Sequence, residues 1–210
     1  MIVNHRHRFV FVHIPKTAGT SLRAALDTLE GADPAAVAKT WHETPLQFLD
    51  AYAERTGRPV AELEGYRFVA FVRNPWDRFG SLHRFLLSPR MRKRYPEVPE
   101  SLVDFARMAV APPAWMSSIR SLRPQCDYLE GITPWTGRFE TLDADFARLC
   151  ELLGVSLSLP ALKQTRKAAP ARRFGILPRR DPMHSAPVRD AVAQLYAEDI
   201  ARFGYAPPGR

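Results

Sequence analysis

Apolar residues along this chain form short unbroken runs that alternate with stretches where they recur every three or four positions. Residues 8–13 (RFVFVH) make the first run; β-branched and aromatic, and bounded by Pro15, they predict a buried strand. From Thr20 the spacing changes to helical, with Leu22, Ala25, Leu26 and Leu29 on one face and Gly31 as the stop. A second helix is expected from Pro45 to about Thr56, with Leu46, Leu49 and Ala53 inward. Residues 66–75 (YRFVAFVRNP) repeat the opening theme of strand and polar turn, and Pro75 suits the first turn of the next helix, where no N–H is needed. That helix carries Trp76, Phe79, Leu82, His83 and Leu86.

The middle, 88–125, is rich in Pro, Arg and Ser, with LVDFARMAV and AWMSSIRSL as candidate short helices. Residues 137–154 predict a short strand, a cap at Thr141 and a helix facing inward through Leu142, Phe146, Leu149, Cys150 and Leu153, ended by Gly154. A last helix, about 186–203, presents Val188, Val192, Leu195, Tyr196, Ile200 and Phe203. Strands alternating with helices imply an α/β protein with a mainly parallel central sheet flanked by helices. In such sheets ligands bind beyond the carboxyl ends of the strands.

Two turns at such ends carry chemistry. The first, HIPKTAGTS (13–21), offers Lys16, a helix start with its open backbone N–H groups and positive dipole end, and the hydroxyls of Thr17, Thr20 and Ser21. Gly19 would let the backbone approach a ligand, so the set makes a cradle for a phosphate-like anion. It is not a Walker A loop, because the lysine precedes the glycine by three positions. A plain strand–helix turn with a solvated lysine fits the same residues. The second turn, VRNPWDRFGS, sets Arg73 just past a strand and Ser81 on the following helix. A guanidinium there can fork onto a phosphate, or pair with Asp77. Two such turns suggest a ligand with two anionic ends.

At 210 residues and 46% hydrophobic, the chain is expected to fold as a single domain, 1–210. A net charge of +8 points to an anionic ligand without choosing one. Cys126 and Cys150 are too few for a disulfide scaffold or a metal cluster. No segment reads as a signal peptide or a membrane span, so the expectation is a soluble protein of a reducing cytoplasm.

HIPKTAGTS resembles the 5′-phosphosulfate loop of sulfotransferases, and VRNPWDRFGS resembles their 3′-phosphate motif. Both have the form seen in carbohydrate sulfotransferases related to heparan sulfate 2-O-sulfotransferase. The likeness continues through PQCDYL, GRFETLDADFARLCELLGV and LYAEDIARFGY, and so spans residues 9–205. It implies a three-layer sandwich like that of P-loop NTPases, with 3′-phosphoadenosine 5′-phosphosulfate (PAPS) as donor and 3′-phosphoadenosine 5′-phosphate (PAP) as product. By that likeness Lys16 contacts the phosphosulfate and Thr17, Ala18, Gly19, Thr20 and Ser21 surround the 5′-phosphate, while Arg73 and Ser81 hold the 3′-phosphate. No metal is expected, since the sulfuryl group carries less charge than a phosphoryl. The implied acceptor is a hydroxyl of a carbohydrate or glycan-like molecule, with an anionic one compatible with the basic balance.

The acceptor hydroxyl needs a base. His42 lies after the first helix, where relatives have a histidine in that role, and imidazole titrates near neutrality. Glu43 is the adjacent alternative, and a loop histidine packed on Trp41 is the structural one. His83 reads as structural, and His5 and His7 as part of a basic N-terminal tail. Residues 160–184 hold seven Lys or Arg and read as a basic loop that either covers the donor or is solvated. There Lys163, in LPALK, stands where many relatives have asparagine. The run at 90–94 (RMRKR) reads as solvated surface or an acceptor-side patch, with no nucleic-acid partner expected, and Trp115 and Met116 mark where acceptor contacts are expected. A nucleotide-dependent kinase and a non-catalytic polyanion binder on the same fold are the rival readings.

Overall fold

The structure is a computed structural model that describes residues 1–37, 42–160 and 185–208. The basic stretch 161–184, with Lys163, lies outside the described residues, as does Trp41. The described residues form two compact units, one of Met1–Asn74 with Ile119–Pro160 and one of Pro75–Ser118 with 185–208.

The first unit is built on a four-stranded sheet in the order β1 (Ile2–Asn4), β2 (Phe9–Val12), β3 (Arg67–Val72) and β4 (Trp135–Arg138). β2, β3 and β4 run parallel, and β1 pairs antiparallel on the edge. This is the α/β sheet that the alternating pattern predicts. The register sets Ile2, Phe11, Val69 and Trp135 in one row across the four strands. Because side chains alternate, that row faces α1 (Gly19–Leu26) and α6 (Leu142–Leu153), where Leu22, Ala25, Leu26, Phe146, Leu149 and Cys150 complete one core cluster. The other set, Val10, Val12, Ala70 and Val72, is equally buried, as parallel strands covered on both faces must be. Each buried Phe or Leu here contributes about 1.5–3 kcal/mol relative to exposure.

Gly137 of β4 is fixed by packing. A Cβ there would sit 2.5 Å from the Phe71 ring, on the neighbouring strand. Asp145, within α6, closes the β4–α6 turn by accepting from the Arg138 N–H (2.8 Å) and the Thr141 hydroxyl (2.7 Å). Thr141 is thus a donor to Asp145, with no side-chain bond to the helix amides, which differs from the expected cap. Gly154 ends α6 in the left-handed conformation, as expected.

Three other expectations are revised. β1 was not foreseen: His5 and His7, read as a tail, belong to the β1–β2 hairpin, and His5 bonds Tyr66 (3.0 Å) and Asp33 (3.2 Å). α2 (Pro45–Thr56) starts where predicted, with a capping box between Thr44 and Gln47, but it buries Phe48 and Tyr52 while Leu46 is exposed. The two aromatic rings form an i,i+4 pair 5.6 Å apart, and their larger area wins the inward face.

The second unit comprises α3 (Pro75–Leu86), α4 (Pro89–Arg92), α5 (Leu102–Val110), α7 (Ala186–Leu195) and α8 (Ala197–Phe203). The foreseen C-terminal helix is two helices, broken at Tyr196, whose φ/ψ of −124°/32° leaves the α region. Phe79 stacks on Phe105 at 5.1 Å, and His83 stacks on Phe105 while donating from Nε2 to the Pro99 carbonyl (2.8 Å). His83 is therefore structural, as read from its helical position. Among the described residues no helix is long and apolar enough to cross a membrane.

Replacing Gly137 with Ala is expected to lower the unfolding free energy by about 1–3 kcal/mol in denaturant titration, because the Phe71 ring is enclosed and must move. Unchanged stability would show that the ring can step aside.

Candidate active site

The site grows out of the parallel pairing of β2 and β3. Parallel neighbours end side by side, so the turn after Val12 and the turn after Val72 emerge at one edge of the sheet. The first turn carries His13 through Ala18 into α1; the second carries Arg73 and Asn74.

Among the described residues, four other than glycine have positive φ: Arg8, Lys16, Ala18 and His42. The last three lie in the candidate site. Left-handed backbone costs an L-residue about 1–2 kcal/mol, so it persists only where surrounding contacts impose it, which is common at functional sites. In the first turn, the Thr17 hydroxyl donates to the Ile14 carbonyl at 2.9 Å, and Thr17 is buried. That hydroxyl, expected to face a ligand, instead shapes the loop. Lys16 (φ 69°) and Ala18 (φ 65°) flank Thr17 in left-handed backbone, the kind of turn in which successive N–H groups can form an anion-binding concavity. Ala18 is the N-cap of α1, and its carbonyl accepts from the Ser21 and Leu22 N–H groups. Thr20 is exposed there, Lys16 and Ala18 are half-buried, and Ser21 is buried.

Gly19 is required for a reason other than ligand approach. A Cβ at Gly19 would collide with the His13 imidazole, which lies over it. His13 in turn stands edge-to-face with His42, centroids 4.8 Å apart. Burial, reinforced by the His42 charge, pushes the His13 pKa down to about 3, so its ring is neutral at ordinary pH. His42 Nδ1 lies 3.1 Å from the His13 carbonyl. A carbonyl can only accept, so Nδ1 carries the hydrogen, and in the neutral ring Nε2 holds the basic lone pair. Tyr128, fully buried with its hydroxyl on the Arg120 carbonyl (2.6 Å), lies edge-to-face with His42 at 6.5 Å. Glu43, by contrast, is buried in ion pairs with Arg55 (2.8 Å) and the Met1 amine (3.5 Å).

In the second turn the Arg73 guanidinium lies over the Phe139 ring, 3.9 Å from its centre, and Nη1 donates to the Lys16 carbonyl at 3.3 Å. Both strand-end turns thus meet through Arg73 and Lys16. Ser81 is half-buried on α3, in the second unit. His13, Gln125 and Phe139 were not singled out in the sequence; PQCDYL and GRFET held the last two, without a visible role.

A family model described as "Sulfotransferase family" matches residues 1–206. The chain belongs to the sulfotransferase family. Sulfuryl transfer is the reaction of that family, and membership implies a hydroxyl-bearing acceptor. In this sulfotransferase the mostly parallel sheet with strand–loop–helix turns accords with a P-loop-like α/β fold. No curated protein and no solved structure matches the chain. Among the described residues no group of three or more His, Cys, Asp or Glu side chains is placed to hold a metal.

Because the unfolded chain takes up a proton at His13 near pH 6.5 and the folded chain only near 3, stability is expected to fall as pH drops through that window. His83, also pushed down by burial, acts in the same direction. His13→Asn should flatten the difference between urea midpoints taken at about pH 7 and about pH 4.5. An unchanged difference would contradict a neutral His13.

Proposed function

We propose that this sulfotransferase moves the sulfuryl group of PAPS to a hydroxyl of a carbohydrate or glycan-like acceptor. The observation that supports it most is the left-handed loop at Lys16–Ala18, joined to Arg73 of the neighbouring turn. Backbone amides, a lysine and a helix start fit a phosphate bearing a sulfuryl group, and a guanidinium across the same edge fits a second phosphate.

In this reading Lys16, the amides of Thr17–Thr20 and the Ser21 hydroxyl hold the phosphosulfate, while Arg73 holds the 3′-phosphate. His42 Nε2 accepts the acceptor's proton as the acceptor oxygen bonds to sulfur. The bond from sulfur to the bridging phosphate oxygen breaks, and PAP leaves in line with the attack. Lys16 stabilises the charge that grows on the leaving phosphate, an interaction stronger in the transition state than in the ground state. His42 is preferred to Glu43 because the carboxylate is tied to Arg55 within the fold, whereas the His42 tautomer directs a basic nitrogen away from the His13 carbonyl.

Calorimetric titration of PAP, ADP and ATP into wild type, Lys16→Ala and Arg73→Ala tests the donor. The expected result is a marked preference for PAP, lost in Arg73→Ala, with turnover in Lys16→Ala down by about 100-fold or more. Equal affinity for the three nucleotides would overturn the reading, and magnesium-dependent ATP consumption would replace it with a kinase.

A further inference from the structure

Gln125 is fully buried, and both ends of its carboxamide bond the main chain of one residue. The Arg73 N–H donates to Oε1 at 2.8 Å, and Nε2 donates to the Arg73 carbonyl at 2.9 Å. Those partners fix the amide's orientation, since the N–H can only donate and the carbonyl only accept. β3 ends at Val72, the residue paired with Arg138 in the last rung of its ladder to β4. For one residue beyond, the Gln125 side chain takes the place of a strand, presenting the acceptor and donor that a paired backbone would present.

Few side chains can do this. Glutamate at ordinary pH offers acceptors alone, methionine or leucine offers no comparable donor, and asparagine is one methylene shorter. The neighbouring contacts serve the same end. Asn74 N–H donates to Glu140 Oε1 at 2.7 Å, and the Phe139 ring supports the guanidinium face. The main chain at 73–74 is therefore held from residues 125 and 140, and the guanidinium from residues 139 and 16. An arginine side chain has about 2 kcal/mol of rotamer entropy to lose, so an anion site gains from having its origin and its plane fixed beforehand.

We propose that Gln125 is a positioning residue for Arg73: its carboxamide fixes the backbone from which the guanidinium is aimed, and so sets how well the site distinguishes a nucleotide bearing a 3′-phosphate from one without it. The proposal rests on the assignment of Arg73 to the donor's 3′-phosphate.

The test uses two variants of the full chain, Gln125→Met and Phe139→Leu, with circular dichroism as the check on folding. The first removes both hydrogen bonds at similar length; the second leaves that clamp intact and removes the surface beneath the guanidinium. Each is titrated with adenosine 3′,5′-bisphosphate and adenosine 5′-monophosphate, and the quantity read is the ratio of the two Kd values. Wild type is expected to favour the bisphosphate, with that ratio falling about tenfold or more in Gln125→Met and in the same direction in Phe139→Leu. A merely structural glutamine would weaken both nucleotides alike and leave the ratio unchanged, which overturns the positioning role while the donor reading stands. If Gln125→Met does not fold, the ratio is read in Gln125→Asn, one methylene short of the clamp, and an unchanged ratio there overturns the proposal. A wild-type ratio near one overturns the donor reading and the proposal with it.

Discussion

The hydrogen bond from Arg73 to the carbonyl of Lys16 joins the turns that follow two adjacent parallel strands, and the candidate site is organised around it. Parallel pairing alone guarantees only that both turns leave the sheet at the same edge. Bringing a lysine loop and an arginine together against their mutual repulsion needs contacts to the backbone as well as to side chains. Here the guanidinium meets a carbonyl dipole and an aromatic face, both of which favour a cation.

The first turn achieves its shape by a similar economy. Thr17 spends its hydroxyl on Ile14, Lys16 and Ala18 accept left-handed backbone, and His13 closes over Gly19. A neutral His13 suits this arrangement, since an imidazolium there would add to the charge of Lys16 in a crowded turn. Its carbonyl then sets the tautomer of His42. Strain, tautomer and charge state are consequences of one packing arrangement.

Much of this was legible in the chain itself. The run at 8–13 and the run opening 66–75 read as buried strands and contain β2 and β3, and LVDFARMAV forms α5 from end to end. Lys16 and Arg73 could be placed at strand ends because apolar runs stop abruptly before polar turns. β1 could not: three residues, IVN, followed by HRHR have too little pattern to register as a strand, and pairing with β2 supplies what propensity does not. The inward face of α2 was misread because Leu46–Leu49–Ala53 and Phe48–Tyr52 both satisfy helical spacing, and only tertiary packing chooses between them. The roles of Gln125 and Phe139 depend on contacts with a residue more than fifty positions earlier, which no local pattern encodes. The Thr17 hydroxyl was readable as a donor, but whether toward a ligand or toward Ile14 is decided by the turn's curvature.

The central claim is that the Lys16–Ser21 loop and Arg73 hold the two phosphates of one nucleotide. A crystal structure of the protein with adenosine 3′,5′-bisphosphate tests it most directly. The account predicts the 5′-phosphate within hydrogen-bonding distance of the amides at the start of α1 and the 3′-phosphate on the Arg73 guanidinium. A nucleotide bound elsewhere, or bound in this loop with its 3′-phosphate turned away from Arg73, would contradict it.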